Sequence, residues 1–76
     1  MSNVRKYAIV IENAGSNYSA YAPDLPGCVA TGASKQEVED LLREAIELHI
    51  NGMREDSIAI PEPKSRVDYL EVEIGA

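Results

Sequence analysis

At 76 residues the chain has room for one domain, near the lower limit at which a hydrophobic core holds without help. Thirteen acidic against seven basic side chains leave a net charge of −6, which repels phosphates and argues against direct nucleic-acid binding. The single cysteine, Cys28, excludes an intrachain disulfide, and no apolar run approaches the roughly 20 residues of a membrane-spanning helix. A single cytoplasmic domain over residues 1–76 is the expectation, with self-association as a ready way to bury more surface.

The stretch Lys6–Glu12 alternates Tyr7, Ile9 and Ile11 with Ala8, Val10 and Glu12. Period-two alternation rich in β-branched and aromatic residues predicts a strand, one covered on both sides or central in its sheet. Asn13–Asn17 supplies glycine and asparagine for a tight reversal. A second strand follows, with Tyr18, Ala20 and Ala22 on one face and Ser19 and Tyr21 on the other.

The loop Pro23–Cys28 reads P-D-L-P-G-C. Pro23 has no N–H and ends the second strand near Ala22. Pro26-Gly27 fits the central pair of a type II turn, because proline fixes φ near −65° and glycine accepts positive φ. Leu25 is expected beneath that turn, and Asp24 is expected to hydrogen-bond its own turn as an Asx residue. Cys28–Thr31 then forms a short third strand, stopped by Gly32.

Ser34-Lys35-Gln36-Glu37 has capping-box spacing: the Ser34 hydroxyl accepts from the first turn while Glu37 reaches back to the Ser34 N–H. Val38, Leu41, Leu42, Ala45, Leu48, His49 and Gly52 follow helical spacing, widened on one side by Ile46, Ile50 and Met53. The pattern predicts a helix from Lys35 to Met53 or Arg54, with Leu41, Leu42 and Ala45 in the core. After Pro61-Glu62-Pro63, Leu70, Val72 and Ile74 alternate with Tyr69, Glu71 and Glu73, which predicts a fourth strand over Val67–Ile74. The fold class is α+β in the order β-β-β-α-β, one long helix on a small, mainly antiparallel sheet.

No residue set in this chain reads as an active site. His49 lies on or beside the buried helical stripe and has no partner or pocket in the pattern that a general base requires. Cys28 lacks a basic neighbour to lower its pKa. Glu37, Glu44 and Glu47 lack the spacing of a calcium loop, and the glycines stand singly at turns. A non-enzymatic protein without metal or cofactor is expected. Tyrosines 18, 21 and 69 suit a protein interface, since each ring joins a large apolar surface to a hydrogen-bonding tip.

The segments Tyr7–Glu12, Tyr18–Cys28 with its P-D-L-P-G-C core, and Thr31–Ser34 resemble the start of a HicB-like antitoxin domain. Glu37-Val38, Ala45–His49 and Ile60–Pro63 continue the pattern, so the resemblance spans about Lys6 to Ser65. It implies the β-β-β-α-β fold, described in this family as a partial ribonuclease-H-like domain, in a cytoplasmic prokaryotic protein. It also implies neutralisation of HicA, a small basic mRNA-cleaving toxin, by protein contact, and assembly into dimers or tetramers. Family antitoxins often add a C-terminal DNA-binding module; about eleven residues follow Ser65, which reads as a short form lacking it. The alternative function is a solitary oligomeric adaptor or structural protein with no cognate toxin.

The residues expected at a partner interface are Tyr18, Tyr21, Asp24, Glu44 and Glu47. Pro23, Pro26, Gly27, Ser34 and Glu37 are expected to shape turn and cap.

Overall fold

The computed structural model describes residues 4–75. Strands β1 (Val10–Asn13), β2 (Tyr18–Tyr21) and β3 (Val29–Gly32) precede one helix, α1 (Lys35–Glu55). The strands form an antiparallel sheet in the order β1-β2-β3, with Tyr21 facing Val10 on one side and Val29 on the other.

Local chemistry sets each reversal. In the first hairpin the Ala14 N–H donates to the Asn17 carbonyl at 2.8 Å, and the Asn13 side chain accepts from the Gly15 N–H at 2.9 Å. Gly15 adopts φ +90° there. In the second, the Cys28 N–H closes on the Leu25 carbonyl at 3.1 Å around Pro26-Gly27, and Gly27 has φ +90°, as a type II turn requires. Leu25 is fully buried under this turn.

β1 begins at Val10 rather than Lys6, and it is an edge strand rather than a central one. Continuing its register would set Ala8 opposite Pro23, whose missing N–H ends the ladder. Residues 6–9 run on outside the sheet, although Tyr7 and Ile9, like Ile11 of β1, still pack against the core. β3 is shifted by one residue from expectation and includes Gly32.

Ser34 caps α1, its hydroxyl accepting from the Glu37 N–H at 3.1 Å. Glu37 reaches back one residue further than expected, to the Ala33 N–H at 3.3 Å. The helix crosses the face formed by β2 and β3, and Val38 and Leu42 complete a core with Ala20, Ala22, Leu25 and Cys28. The buried stripe is narrower than its sequence pattern: Leu41 is exposed and Leu48 is 73% exposed. A three-strand sheet is too small to cover a helical face that wide, so the stripe centres on Val38, Leu42 and Ile46 instead. Leu41 is therefore a surface residue, not a core one.

The expected fourth strand, Val67–Ile74, pairs with no described strand of this chain. What stands is β-β-β-α, one long helix on a small antiparallel sheet. The segment projects from the body instead, with Tyr69 92% and Ile74 94% exposed. The radius of gyration, 15.0 Å, exceeds the roughly 11 Å of a compact chain this long.

Candidate partner interface

The predicted interface residues do not converge on one surface. Tyr18 points with Ala20 and Ala22 toward the helix and packs half-buried against the core. Tyr21 points the other way, 41% exposed. The register aligns it with Val10 and Val29 in a row across the sheet face that the helix leaves open. Val29 is exposed in that row; β3 is too short for its alternation to mark Val29 in the sequence. Ser19 faces Thr31 on the same side.

Glu44 and Glu47 are exposed on α1. The outward turn of the helix carries Leu41, Glu44 and Leu48 at spacings of three and four, so the two exposed leucines flank an acidic side chain. Helical spacing alone puts both leucines on the apolar stripe, and Leu41 in the core. An acidic and apolar strip of this kind suits a basic partner that also offers apolar surface.

Asp24 does not cap its own turn. Its Oδ2 accepts from the Lys64 N–H at 2.8 Å and the Ser65 N–H at 2.7 Å, while the Ser65 hydroxyl donates to Oδ1 at 2.8 Å. These bonds, those from Ser65 foremost, hold the Asp24 carboxyl below its ordinary pKa. Nearby, the Tyr7 hydroxyl donates to the Pro61 carbonyl at 2.6 Å and Arg5 pairs with Glu62 at 3.6 Å. The chain after the helix is thus strapped across the end of the sheet, from the β1 side at Tyr7 to the β2–β3 turn at Asp24. No local pattern in the sequence pairs positions forty residues apart.

The other reactive side chains are quiet. Burial pushes the Cys28 thiol up, away from the thiolate. His49 is half-buried on the helix. Among the described residues no group of three or more His, Cys, Asp or Glu is placed to hold a metal ion, and no helix is long and apolar enough to cross a membrane.

A second surface feature is an open groove of about 1170 Å³ between α1 and the residues leading into β1. Ile9, Leu42, Ile46, Ile50 and Ile60 line it, and Arg5, Lys6, Arg43 and Arg54 surround them with Glu39 and Glu47. It lies between the helix and the residues that run on outside the ladder ahead of β1, with Ile60 beside them.

Comparison with known proteins gives a match over residues 7–73 to a family described as the HicB-like antitoxin of bacterial toxin–antitoxin systems. An uncharacterized 14.9 kDa protein from the rep-hol intergenic region of Haemophilus phage HP1 is 36% identical over 64 residues, 84% of this chain. That match covers 48% of the phage protein, so the chain spans about half its length. A UPF0150 protein of Helicobacter pylori is 38% identical over 58 residues, 76% of this chain and 81% of that one. No solved structure matches the chain.

Proposed function

The chain belongs to the HicB-like antitoxin family of bacterial toxin–antitoxin systems, and on that premise we propose that it binds and neutralises a small basic mRNA-cleaving toxin of the HicA type. The family match over residues 7–73 carries this reading. Membership in an antitoxin family accords with a non-enzymatic protein. The action is protein contact in the cytoplasm rather than nucleic-acid binding, a reading supported by the net charge of −6. The partial ribonuclease-H-like kinship of the fold belongs to the same proposal.

The contact surface proposed for the toxin is the outward helix strip of Leu41, Glu44, Glu47 and Leu48. Tyr21 and Val29 on the open sheet face form a separate, smaller surface. Titrating the chain into an RNA-cleavage assay of the cognate toxin tests the reading. Cleavage stops near equimolar chain if it holds, and unchanged cleavage at large excess overturns it. Glu44→Lys with Glu47→Lys is expected to weaken inhibition at least tenfold while leaving the circular dichroism spectrum intact.

The exposed Val67–Ile74 segment favours a second reading, an oligomeric adaptor without a toxin. No basic protein of toxin size encoded beside this chain is the observation that distinguishes it.

A further inference from the structure

On the premise that the partner is the small basic toxin proposed above, we infer that an extended strand of it adds to the free edge of β3. Its apolar side chains then lie under the flank of α1 that carries Leu41 and Leu48. Backbone, side-chain and charge observations each point to this edge.

β3 has β2 on one side only. The Ala22 N–H donates to the Cys28 carbonyl at 3.3 Å, one step beyond the Tyr21–Val29 pairing. Bonded and non-bonded pairs alternate along an antiparallel ladder, so Cys28, Ala30 and Gly32 turn their main-chain groups to β2. Those of Val29 and Thr31 therefore point outward, and among the described residues nothing else bonds them. Edges that stay open in monomers are guarded by lysine, proline or a bulge. β3 reads V-A-T-G, with neither charge nor proline. An unguarded edge suits strand addition, in which main-chain bonds hold the strand and alternate side chains set its register.

The helix roofs this edge. α1 packs mainly on β3, and its Val38 backbone stands 3.0 Å from where a Gly32 Cβ would be. Arg43, Ile50 and Arg54 face the groove on the β1 side. At 3.6 residues per turn, Leu41 and Leu48 fall about half a turn from them, on the β3 side. They are 40% and 73% exposed, and open apolar side chains bordering an unpaired edge mark a surface that a partner covers. From Leu41 to Leu48 the helix rises about 10 Å, the span of roughly three extended residues. On its other face, the added strand continues the row of Val10, Tyr21 and Val29. The helix flank and the open sheet face, separate in the single chain, thus become one contact.

Charge selects the occupant. Glu37, Glu44 and Glu55 stand beside the two leucines, whereas Arg43 and Arg54 lie toward the groove, where Arg5 and Lys6 join them. A basic strand is drawn to the β3 flank and turned away from the β1 side. A second copy of this chain, with its net charge of −6, would bring like charge to the same acidic flank.

Amide hydrogen exchange on the full chain, alone and mixed with the cognate toxin, tests the docking. The Val29 and Thr31 amides are expected to slow about tenfold or more in the complex, because each gains a main-chain acceptor. Ala30, already bonded to β2, changes far less and is the internal reference. Thr31→Pro deletes one outward N–H at a place where an edge strand tolerates proline, and is expected to weaken toxin binding about tenfold or more. Leu48→Lys alters an exposed side chain of the single chain and tests the helix flank apart from the sheet. It is expected to weaken binding about as much, and it decides the matter with the exchange data if the proline disturbs β3. Unchanged exchange at Val29 and Thr31 in a complex that still stops RNA cleavage overturns strand addition and leaves the toxin contact standing. Failure to bind the toxin at all overturns both. Slowing of these amides with rising chain concentration and no toxin gives the edge to a second copy, and overturns the proposal as well.

Discussion

Asp24 and Ser65, forty-one residues apart, are joined twice: the Ser65 N–H and hydroxyl donate to the two oxygens of one carboxylate at 2.7 and 2.8 Å. With the Lys64 N–H on the same carboxylate, this clasp fixes where the chain leaves the body. Asp24→Ala removes all three acceptor contacts and leaves the core untouched. Amide exchange at Lys64 and Ser65 is expected to quicken several-fold, with no change in the amides of α1. Equal quickening in the helix would mean that Asp24 supports the whole fold rather than the strap.

The clasp also titrates. The folded Asp24 carboxyl lies below its ordinary value of 3.8 because it accepts these bonds as the carboxylate. A depressed folded pKa contributes stability that is complete above the unfolded value and fades as pH falls through the folded one. The strap should therefore hold unchanged from neutral pH down to about pH 4 and loosen below it. Chemical shifts of the Lys64 and Ser65 amides followed through acid check this, and a midpoint above 3.8 would contradict the assignment.

Features set by neighbouring residues were the ones legible in the sequence. The Ser34 cap, the Pro26-Gly27 turn, buried Leu25 and the three-strand-then-helix order depend on spacings of a few residues, and all stand. The strap was invisible because Asp24 has a local use, the Asx turn, that sequence favours over a distant one. The exposure of Leu41 and Leu48 depends on how much sheet lies beneath the helix, which helical periodicity does not encode. Alternation identified Val67–Ile74 as strand-like, but alternation does not say whether a strand finds an edge to pair with, and this segment pairs with none of the described strands. The predicted interface residues scattered for a similar reason. Residue type marks Tyr18 and Tyr21 alike, and only the pleat separates the buried ring from the exposed one.

The two leucines of the helix offer a direct test of the narrowed stripe. Leu42 is 1% exposed and Leu48 is 73% exposed. Leu42→Ala should cost about 2 to 5 kcal/mol, the range for truncating a buried leucine. Leu48→Ala should stay within about 0.5 kcal/mol in the isolated chain. Urea unfolding at a concentration low enough to keep the chain monomeric measures both, and equal losses would restore Leu48 to the core.

The end of α1 holds a residue in an uncommon conformation. Ser57 has φ 56°, and around it the Ile58 N–H reaches the Met53 carbonyl at 2.8 Å while the Ser57 N–H reaches Arg54 at 3.2 Å. That bond pair is a Schellman closure, whose left-handed position usually holds glycine. Relieving the left-handed strain is worth about 1 to 2 kcal/mol, less the added freedom of glycine in the unfolded chain. Ser57→Gly should therefore stabilise the domain by roughly 0.5 to 1 kcal/mol, and Ser57→Val should destabilise it. Thermal melts of both variants give the two signs.

Gly32 is required for space rather than for its backbone angle. It ends β3 two residues before the helix cap, so the first turn of α1 folds directly over it. A Cβ added there would stand 3.0 Å from the Val38 nitrogen and 3.2 Å from the Val38 Cα. Both are backbone atoms of a capped turn whose Val38 N–H already bonds the Ser34 carbonyl at 3.0 Å. A flexible side chain would swing aside, but here β3 and α1 must separate by a few tenths of an ångström. That movement would loosen fully buried Val38. Gly32→Ala is therefore expected to cost about 1 to 3 kcal/mol, the usual range for overpacking, despite alanine's advantage in the unfolded chain. Gly75→Ala, whose added Cβ meets nothing within 4 Å, serves as the control in denaturant unfolding. A neutral Gly32→Ala would mean that the helix has room to ride higher on the sheet.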